Sequence, residues 1–145
     1  MKIAVSSCLL GINCKYNGKS NYNEEILKLK DKYELIPICP EVLGGLSIPR
    51  TPAEILNNKI INQIGIDVTN NYIDGANKAL QILKDNNINI AILKAKSPSC
   101  GKGEIYDGTF THTLIKGNGI TSQLFLDNGI TVYNEFNFTD ILDKE

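Results

Sequence analysis

Four cysteines, Cys8, Cys14, Cys39 and Cys100, are the residues best suited to chemistry in this sequence. Cysteines that only fill a core are expected within strands and helices, whereas all four of these fall in predicted loops. None of them forms the compact C-x-x-C spacing typical of zinc sites. Three thiolates from distant loops suit a soft metal or an iron-sulfur cluster. We therefore predict that Cys8, Cys39 and Cys100 hold a 4Fe-4S cluster with one open iron, a Lewis acid toward a substrate atom.

The role of Cys14 stays open at the level of sequence. Its thiol either occupies the fourth coordination position, which would give a sealed cluster, or lies beside the site without binding. A sealed cluster would favour a non-catalytic iron-sulfur or sulfide carrier over an enzyme. A third hypothesis is a redox-sensing thiol protein without metal.

An acidic and a basic residue lie close to the cysteine segments. Glu41 follows Cys39 by two residues in a Cys-Pro-Glu turn. It is therefore close enough to the predicted cluster to transfer protons in a reaction there. Its alternatives are a helix cap or a pair with a lysine. Arg50 is the only arginine of the chain and would either clamp a carbonyl or phosphate group or pair with Glu54.

The segment before Cys100 supplies further polar candidates. Ser97 and Ser99 would hydrogen-bond the cluster or the substrate, although serines in such turns usually serve the backbone. Lys96 lies in the same segment. His112, the only histidine, is assigned no role, because an exposed polar position accounts for it among its threonine neighbours.

These residues must be positioned by a β/α alternation. Short aliphatic runs predict strands, and apolar residues at helical spacing predict helices. The predicted order is a strand at Lys2 to Ser7, a helix at Asn23 to Tyr33, a strand at Glu34 to Ile38, a small hairpin around Gly65 within residues 54–67, a helix from Tyr72 to Leu83 capped by Thr69 and stopped at Asn86-Asn87, a strand at Ile88 to Leu93, a helix at Thr121 to Asn128 ended by Gly129, and a strand at Ile130 to Asn134.

This alternation predicts one α/β domain over residues 1–145, a three-layer Rossmann-like fold with a mostly parallel four-stranded sheet and a hairpin insertion. Pro37 lacks a backbone N–H and confines the second strand to an edge. The strand order 2-1-3-4 follows. Ligands of such sheets bind beyond the carboxyl ends of the strands. Cys8, Cys39 and Cys100 come shortly after strands 1, 2 and 3, so their sulfurs are expected to converge there.

Composition excludes several other classes of protein. A chain of 145 residues is long enough for one core but not for two domains. Its net charge of -1 gives no basic surplus for nucleic acid, and no nucleic-acid partner is expected. The N-terminal segment has no signal-peptide pattern and no stretch could span a membrane, so we expect a cytoplasmic protein with reduced thiols. The sequence leaves monomer or homodimer open.

Five motifs resemble one known family. SCLLG, CPEVLGG, PRTPAEI, LKAKSPSCG and IYDGTF occur in that order and together resemble the thiouracil desulfurase (desulfidase) family along essentially the whole chain. The resemblance implies a 4Fe-4S enzyme with Cys8, Cys39 and Cys100 as ligands. Its open iron would bind the sulfur of a thiocarbonyl while water supplies the replacing oxygen, with no net redox change.

The resemblance also implies roles for other residues. Glu41 would be the acid/base and Ser97 a substrate or proton-relay contact, and we place Ser99, Arg50 and Lys96 among the substrate-binding candidates. The expected substrate is a small thiolated molecule, thiouracil or a related thiolated pyrimidine. One departure is the segment 15–18, Lys-Tyr-Asn-Gly, where the family often reads Arg-Tyr-Asp-Gly. It puts any carboxylate role at Asn17 in doubt.

Overall fold

A parallel four-stranded sheet forms the centre of the computed structural model, which describes residues 1–144. The elements are β1 (Lys2–Ser6), α1 (Glu24–Leu27), β2 (Glu34–Ile38), α2 (Pro40–Leu43), β3 (Ala53–Leu56), β4 (Lys59–Asn62), α3 (Thr69–Asp85), β5 (Ile90–Ile92), β6 (Glu104–Tyr106), β7 (Leu114–Lys116), α4 (Ile120–Asp127) and β8 (Thr131–Tyr133), with 3-10 turns at Ser7–Leu10, Lys28–Asp31 and Phe138–Lys144.

The strand order in the sheet is β2-β1-β5-β8, and every neighbouring pair is parallel. This confirms the predicted α/β class and the order 2-1-3-4, with Pro37 on the edge strand.

Both faces of the sheet are covered, which makes three layers. Successive strand residues point to opposite faces, so Ala4 belongs to one core and its neighbours Ile3 and Val5 to the other. The first core is completed by α3 and α4, and the second by α1 and the C-terminal 3-10 turn. All three of these β1 residues are fully buried, as expected for a parallel strand with two covered faces. In the described residues no helix has the length and apolar character needed to cross a membrane.

Helix boundaries differ from the prediction: α4 begins and ends one residue earlier than predicted, and α1 and α3 differ more. The predicted helix at Asn23 to Tyr33 is α-helical only in α1, and a 3-10 turn continues it, as is common at helix ends. Thr69 begins α3 instead of capping it, because its hydroxyl oxygen accepts the N–H of Ile60 at 2.8 Å. Asn87 has φ +56°, which confirms the predicted left-handed stop after this helix.

Two hairpins are inserted into the alternation. The reversal between β3 and β4 lies at Asn57-Asn58, both in the left-handed region, and not at Gly65 as predicted. Gly65 makes the following reversal, which brings Asp67 beside Ile61. The second hairpin, β6 with β7, was not predicted. Its strands have three residues each, which is too short for an alternating pattern to be recognised.

Close packing of α2 on α3 positions the segment that follows Cys39. The two helices approach at Gly44 and Gly75, where an added Cβ would overlap the carbonyl oxygen of Asn71 or Pro40 respectively. Glycine is therefore required at both positions. Since Pro40 and Glu41 begin α2, this contact fixes the part of the chain that carries Glu41 toward the sheet edge.

Gly75→Ala is expected to lower the free energy of unfolding by about 2 kcal/mol, because α2 must move away from α3 to admit the methyl group. Urea unfolding followed by circular dichroism measures the change. Asn77→Ala, at an exposed position of the same helix, is the control and should stay within about 0.5 kcal/mol of the parent protein. Equal stability of Gly75→Ala and the parent would contradict the close packing.

Candidate active site

A cavity of about 630 Å³ lies at the carboxyl ends of β1, β2 and β5. All four cysteines line it. Cys8 and Cys39 are partly exposed, whereas Cys14 and Cys100 are buried, and none is in a disulfide. The parallel topology thus brings together loops that are far apart in sequence, as expected for the switch point of such a sheet.

Cys14 lies within hydrogen-bonding reach of both Cys8 and Cys39. The hydrogen bond from Cys14 lowers the pKa of Cys8 to about 7, with help from Asn21, whose amide nitrogen donates to the Cys8 sulfur at 3.4 Å. The same Cys14 thiol lowers the pKa of Cys39. These two bonds and burial raise the pKa of Cys14 itself. Cys8 and Cys39 are therefore the readier thiolates, and Cys14 holds the proton.

Cys100 is held from the end of β1. The Ser6 hydroxyl donates to the Cys100 sulfur at 3.5 Å and accepts the backbone N–H of Lys94 at 2.9 Å. Burial raises the pKa of the Cys100 thiol well above its usual value. A thiol in such a place becomes a thiolate readily only when a cation or metal compensates its charge.

The donor set fits a group larger than one metal ion. Among the described residues, no three His, Cys, Asp or Glu side chains are close enough to share a single ion. One zinc ion would need its sulfurs about 2.3 Å from a common centre. The sulfurs instead surround a cavity, and sulfur is the ligand that dominates iron-sulfur clusters. The chemistry and placement of Cys8, Cys39 and Cys100 therefore fit a cluster.

Glu41 and Arg50 form an ion pair on the cavity wall, with Arg50 Nη2 3.0 Å from Glu41 Oε2. Their side chains are only 17% and 8% exposed, so solvent screens the pair weakly. Arg50 Nη1 also donates to the carbonyl oxygen of Ser47 at 3.3 Å. The predicted alternatives, a lysine partner for Glu41 and Glu54 as partner of Arg50, are wrong. The guanidinium holds Glu41 and a backbone oxygen, which leaves it less free to clamp a substrate.

The two candidate serines differ in position. Ser97 lines the cavity, and its hydroxyl oxygen accepts the N–H groups of Ser99 at 3.1 Å and Cys100 at 2.7 Å. These bonds leave the hydroxyl hydrogen of Ser97 for another acceptor. Ser99 is fully buried, its hydroxyl lies 2.7 Å from that of Thr121, and it does not line the cavity. Ser99 therefore does not face the cavity as a substrate contact would, because the turn directs it against α4, but its hydroxyl oxygen accepts the thiol of Cys100 at 4.0 Å.

Two lysines of this segment line the cavity. The ammonium of Lys96, a predicted substrate contact, lies 5.9 Å from the ring centre of Phe136. Lys94 pairs with Glu135, with Nζ 2.6 Å from Oε2, and the other carboxylate oxygen accepts the N–H of Ala95 at 2.7 Å. Sequence reasoning missed Glu135, because no local pattern links it to a segment 40 residues earlier.

Asn17 does not line the cavity and serves the backbone of its own turn. Its side-chain oxygen accepts the N–H of Lys19 at 3.0 Å. Asn and Asp side chains both supply such an acceptor in turns. Asn17 therefore supplies this turn with an acceptor that an Asp could also supply.

Comparisons with known proteins agree with this geometry. Residues 3–137 match the family described as 2-thiouracil desulfurase. The uncharacterized protein YbbK of Bacillus subtilis (strain 168) is 45% identical over 150 residues, which cover 97% of this chain and 99% of that protein. A solved structure of the [4Fe-4S]-dependent thiouracil desulfidase TudS is similar with a TM-score of 0.92 and 37% identity, over 99% of this chain and 96% of that one. From the sheet, the cavity and these likenesses together, we conclude that the chain belongs to the 2-thiouracil desulfurase family.

Proposed function

We propose that this protein is a desulfidase that exchanges the sulfur of a thiocarbonyl for the oxygen of water. The substrate class is thiouracil or a related thiolated pyrimidine. The reaction consumes water and releases sulfide, C=S + H₂O → C=O + H₂S, so no electrons are gained or lost overall. The observation that carries the proposal is the single cavity in which three cysteines from distant loops meet the Glu41–Arg50 pair.

Cys8, Cys39 and Cys100 would hold a 4Fe-4S cluster, the cofactor named for the similar TudS structure. When bound by three thiolates, such a cluster supplies an iron without a protein ligand, a Lewis acid suited to sulfur. The lowered pKa of Cys8 and of Cys39 favours the deprotonated form that a ligand must have.

Glu41 would accept the proton of the water that supplies the oxygen. Its Oε2 is held by Arg50, which leaves Oε1 for the water. The free hydroxyl hydrogen of Ser97 would donate to the substrate or relay a proton, and Lys96 would contact the substrate from the same wall.

A carrier function is the second candidate, and the position of Cys14 favours it. Cys14 lies within hydrogen-bonding reach of Cys8 and Cys39 and lines the same cavity. As a fourth ligand it would seal the cluster and leave no site for a substrate. Such a protein would hold iron and sulfide without releasing uracil.

Anaerobic purification, reconstitution with iron and sulfide, and assay of uracil release from thiouracil test the two functions. About four irons per chain with uracil formed would support the desulfidase. About four irons without turnover of thiouracil or of related thiolated pyrimidines would contradict it and favour the carrier. Failure to take up iron would contradict both.

Arg50→Lys is expected to lower kcat for uracil release about tenfold, because one ammonium cannot hold the Glu41 carboxylate and the Ser47 carbonyl in the geometry of a planar guanidinium. Steady-state kinetics on protein with matched iron content measures the change. Lys2→Arg, at the exposed first residue of β1 and far from the cavity lining, makes the opposite substitution and serves as the control. Full activity of Arg50→Lys would show that a positive charge alone suffices.

A further inference from the structure

In the loop between β6 and β7, two alternate residues line the cavity: Phe110, which is half-buried, and His112, which is exposed as the sequence predicted. Thr109, Thr111 and Thr113 are exposed, and their hydroxyls follow one another at 2.6 and 2.8 Å. Asp107 begins this row by accepting the Thr109 hydroxyl at 2.6 Å. None of the three threonines lines the cavity. The row stiffens the outer side of the loop.

The residues between the threonines line the cavity together with Tyr106. Phe110 and His112 have φ +59° and +60°, a region that bulky side chains rarely adopt. Backbone strain of this kind persists where surrounding contacts enforce it, and it is concentrated at ligand sites. The rings of Tyr106 and His112 meet edge to face, with centres 5.8 Å apart. We call Tyr106, Phe110 and His112 the aromatic wall.

Glu54 on β3 enforces this conformation. Its side chain is buried in a residue only 8% exposed, and Oε1 accepts the N–H groups of Gly108 at 3.0 Å and Phe110 at 3.2 Å. A carboxylate that accepts two backbone N–H groups forms charge-assisted bonds, which are stronger than neutral ones. Gly108 has φ +95°, and a side chain there would collide with the backbone of Ile55. The two hairpins are thus joined at the cavity by one carboxylate.

We propose that the aromatic wall binds the planar ring of the substrate by stacking, and that Glu54 is the positioning residue that holds the wall in place. The identity of the ring rests on the proposed function, since a thiolated pyrimidine has the flat π face that aromatic side chains stack on. The cysteines and the wall line one cavity, so a ring held by the wall lies in the same space as the sulfurs. The second hairpin, which lies outside the parallel sheet, therefore contributes substrate binding.

Isothermal titration of uracil into the reconstituted protein tests stacking without relying on turnover. Phe110→Leu keeps an apolar side chain but removes the π face, and it should weaken uracil binding about tenfold and raise KM for thiouracil similarly. Tyr22→Leu is the control for loss of an aromatic ring, because Tyr22 is 53% exposed and lies outside the cavity lining. Equal uracil affinity in Phe110→Leu and the parent, or an equal loss in Tyr22→Leu, would contradict stacking on the aromatic wall.

Glu54→Leu and Glu54→Gln separate positioning from general stability. Leucine accepts no hydrogen bond, so Glu54→Leu should weaken uracil binding and raise KM at least fivefold, with kcat changed less. Glutamine keeps Oε1 as an acceptor and should restore most of the affinity. If Glu54→Leu does not fold, Thr109→Val, which removes one hydroxyl of the row, replaces it and should raise KM in the same direction. A loss in kcat alone would contradict a positioning role.

The outcomes distinguish this inference from the proposed function. If Phe110→Leu releases uracil at the parent rate with an unchanged KM, the desulfidase function is supported and stacking on the aromatic wall is contradicted. If the protein binds uracil through Phe110 but releases no uracil from thiouracil, stacking on the aromatic wall is supported and the desulfidase function is contradicted.

Discussion

Cys8→Ala is expected to abolish uracil release and to reduce iron from about four atoms per chain to well below that, because removal of one of three thiolates leaves a cluster with too few protein ligands. Cys8 is the partly exposed thiol whose pKa is lowered to about 7, so it supplies a thiolate at neutral pH. Iron and acid-labile sulfide, measured with uracil formation after anaerobic reconstitution, check the expectation. Normal iron content and turnover in Cys8→Ala would contradict the assignment of the ligand.

Cys14→Ala is the matched comparison, since Cys14 lines the same cavity and contacts two of the proposed ligands. In the desulfidase, this variant should keep most of its iron, because the other three thiols remain. If the protein is a carrier, Cys14→Ala should either lose its iron or keep a cluster in which one iron has no protein ligand. The pair of variants therefore measures which cysteines bind iron and whether one iron is left for a substrate.

Glu41→Gln is expected to lower kcat for uracil release by about 100- to 10,000-fold while iron content stays unchanged. Glutamine has nearly the same shape as glutamate, and its side-chain oxygen still accepts a bond from Arg50, but it cannot take a proton from water. Anaerobic steady-state kinetics, normalised to cluster content, measures the loss.

A surface substitution controls for the change of charge. Glu104→Gln, at an exposed position of β6, removes the same carboxylate charge and should leave kcat within about twofold. Activity of Glu41→Gln within threefold of the parent would show that another group takes the proton. Loss of iron in Glu41→Gln would instead show a role in holding the cluster.

The position of the cavity at the carboxyl edge of the sheet was predictable because the signals for it are local. Aliphatic runs such as Ile3 to Val5 identify buried strands, and Pro37 places its strand at the edge of the sheet. Once the alternation of strands and helices is recognised, parallel topology brings the segments that follow β1 and β2 to the same edge of the sheet. These segments carry Cys8 and Cys39. The order of the sheet and the meeting of the cysteines needed no information beyond the sequence pattern.

Pairings between side chains could not be predicted in the same way. From the sequence, Arg50 could pair with Glu54 or bind a substrate, yet in the structure it pairs with Glu41. Glu54 instead accepts backbone N–H groups of the loop before β7. Each pairing depends on the path of a turn over a few ångströms. No periodic pattern encodes such a path.

Sequence alone thus determined the order of the parallel sheet and the meeting of the cysteines at one cavity, because hydrophobic periodicity and cysteine placement are properties of single segments. Only the tertiary structure decided which groups face the cavity. It turned Ser99 away into the core, placed Cys14 between two thiols, and brought His112 to the cavity wall. The physical reason is that burial and hydrogen bonding act across segments distant in the chain, and each buried polar group takes whichever partner the packed backbone presents.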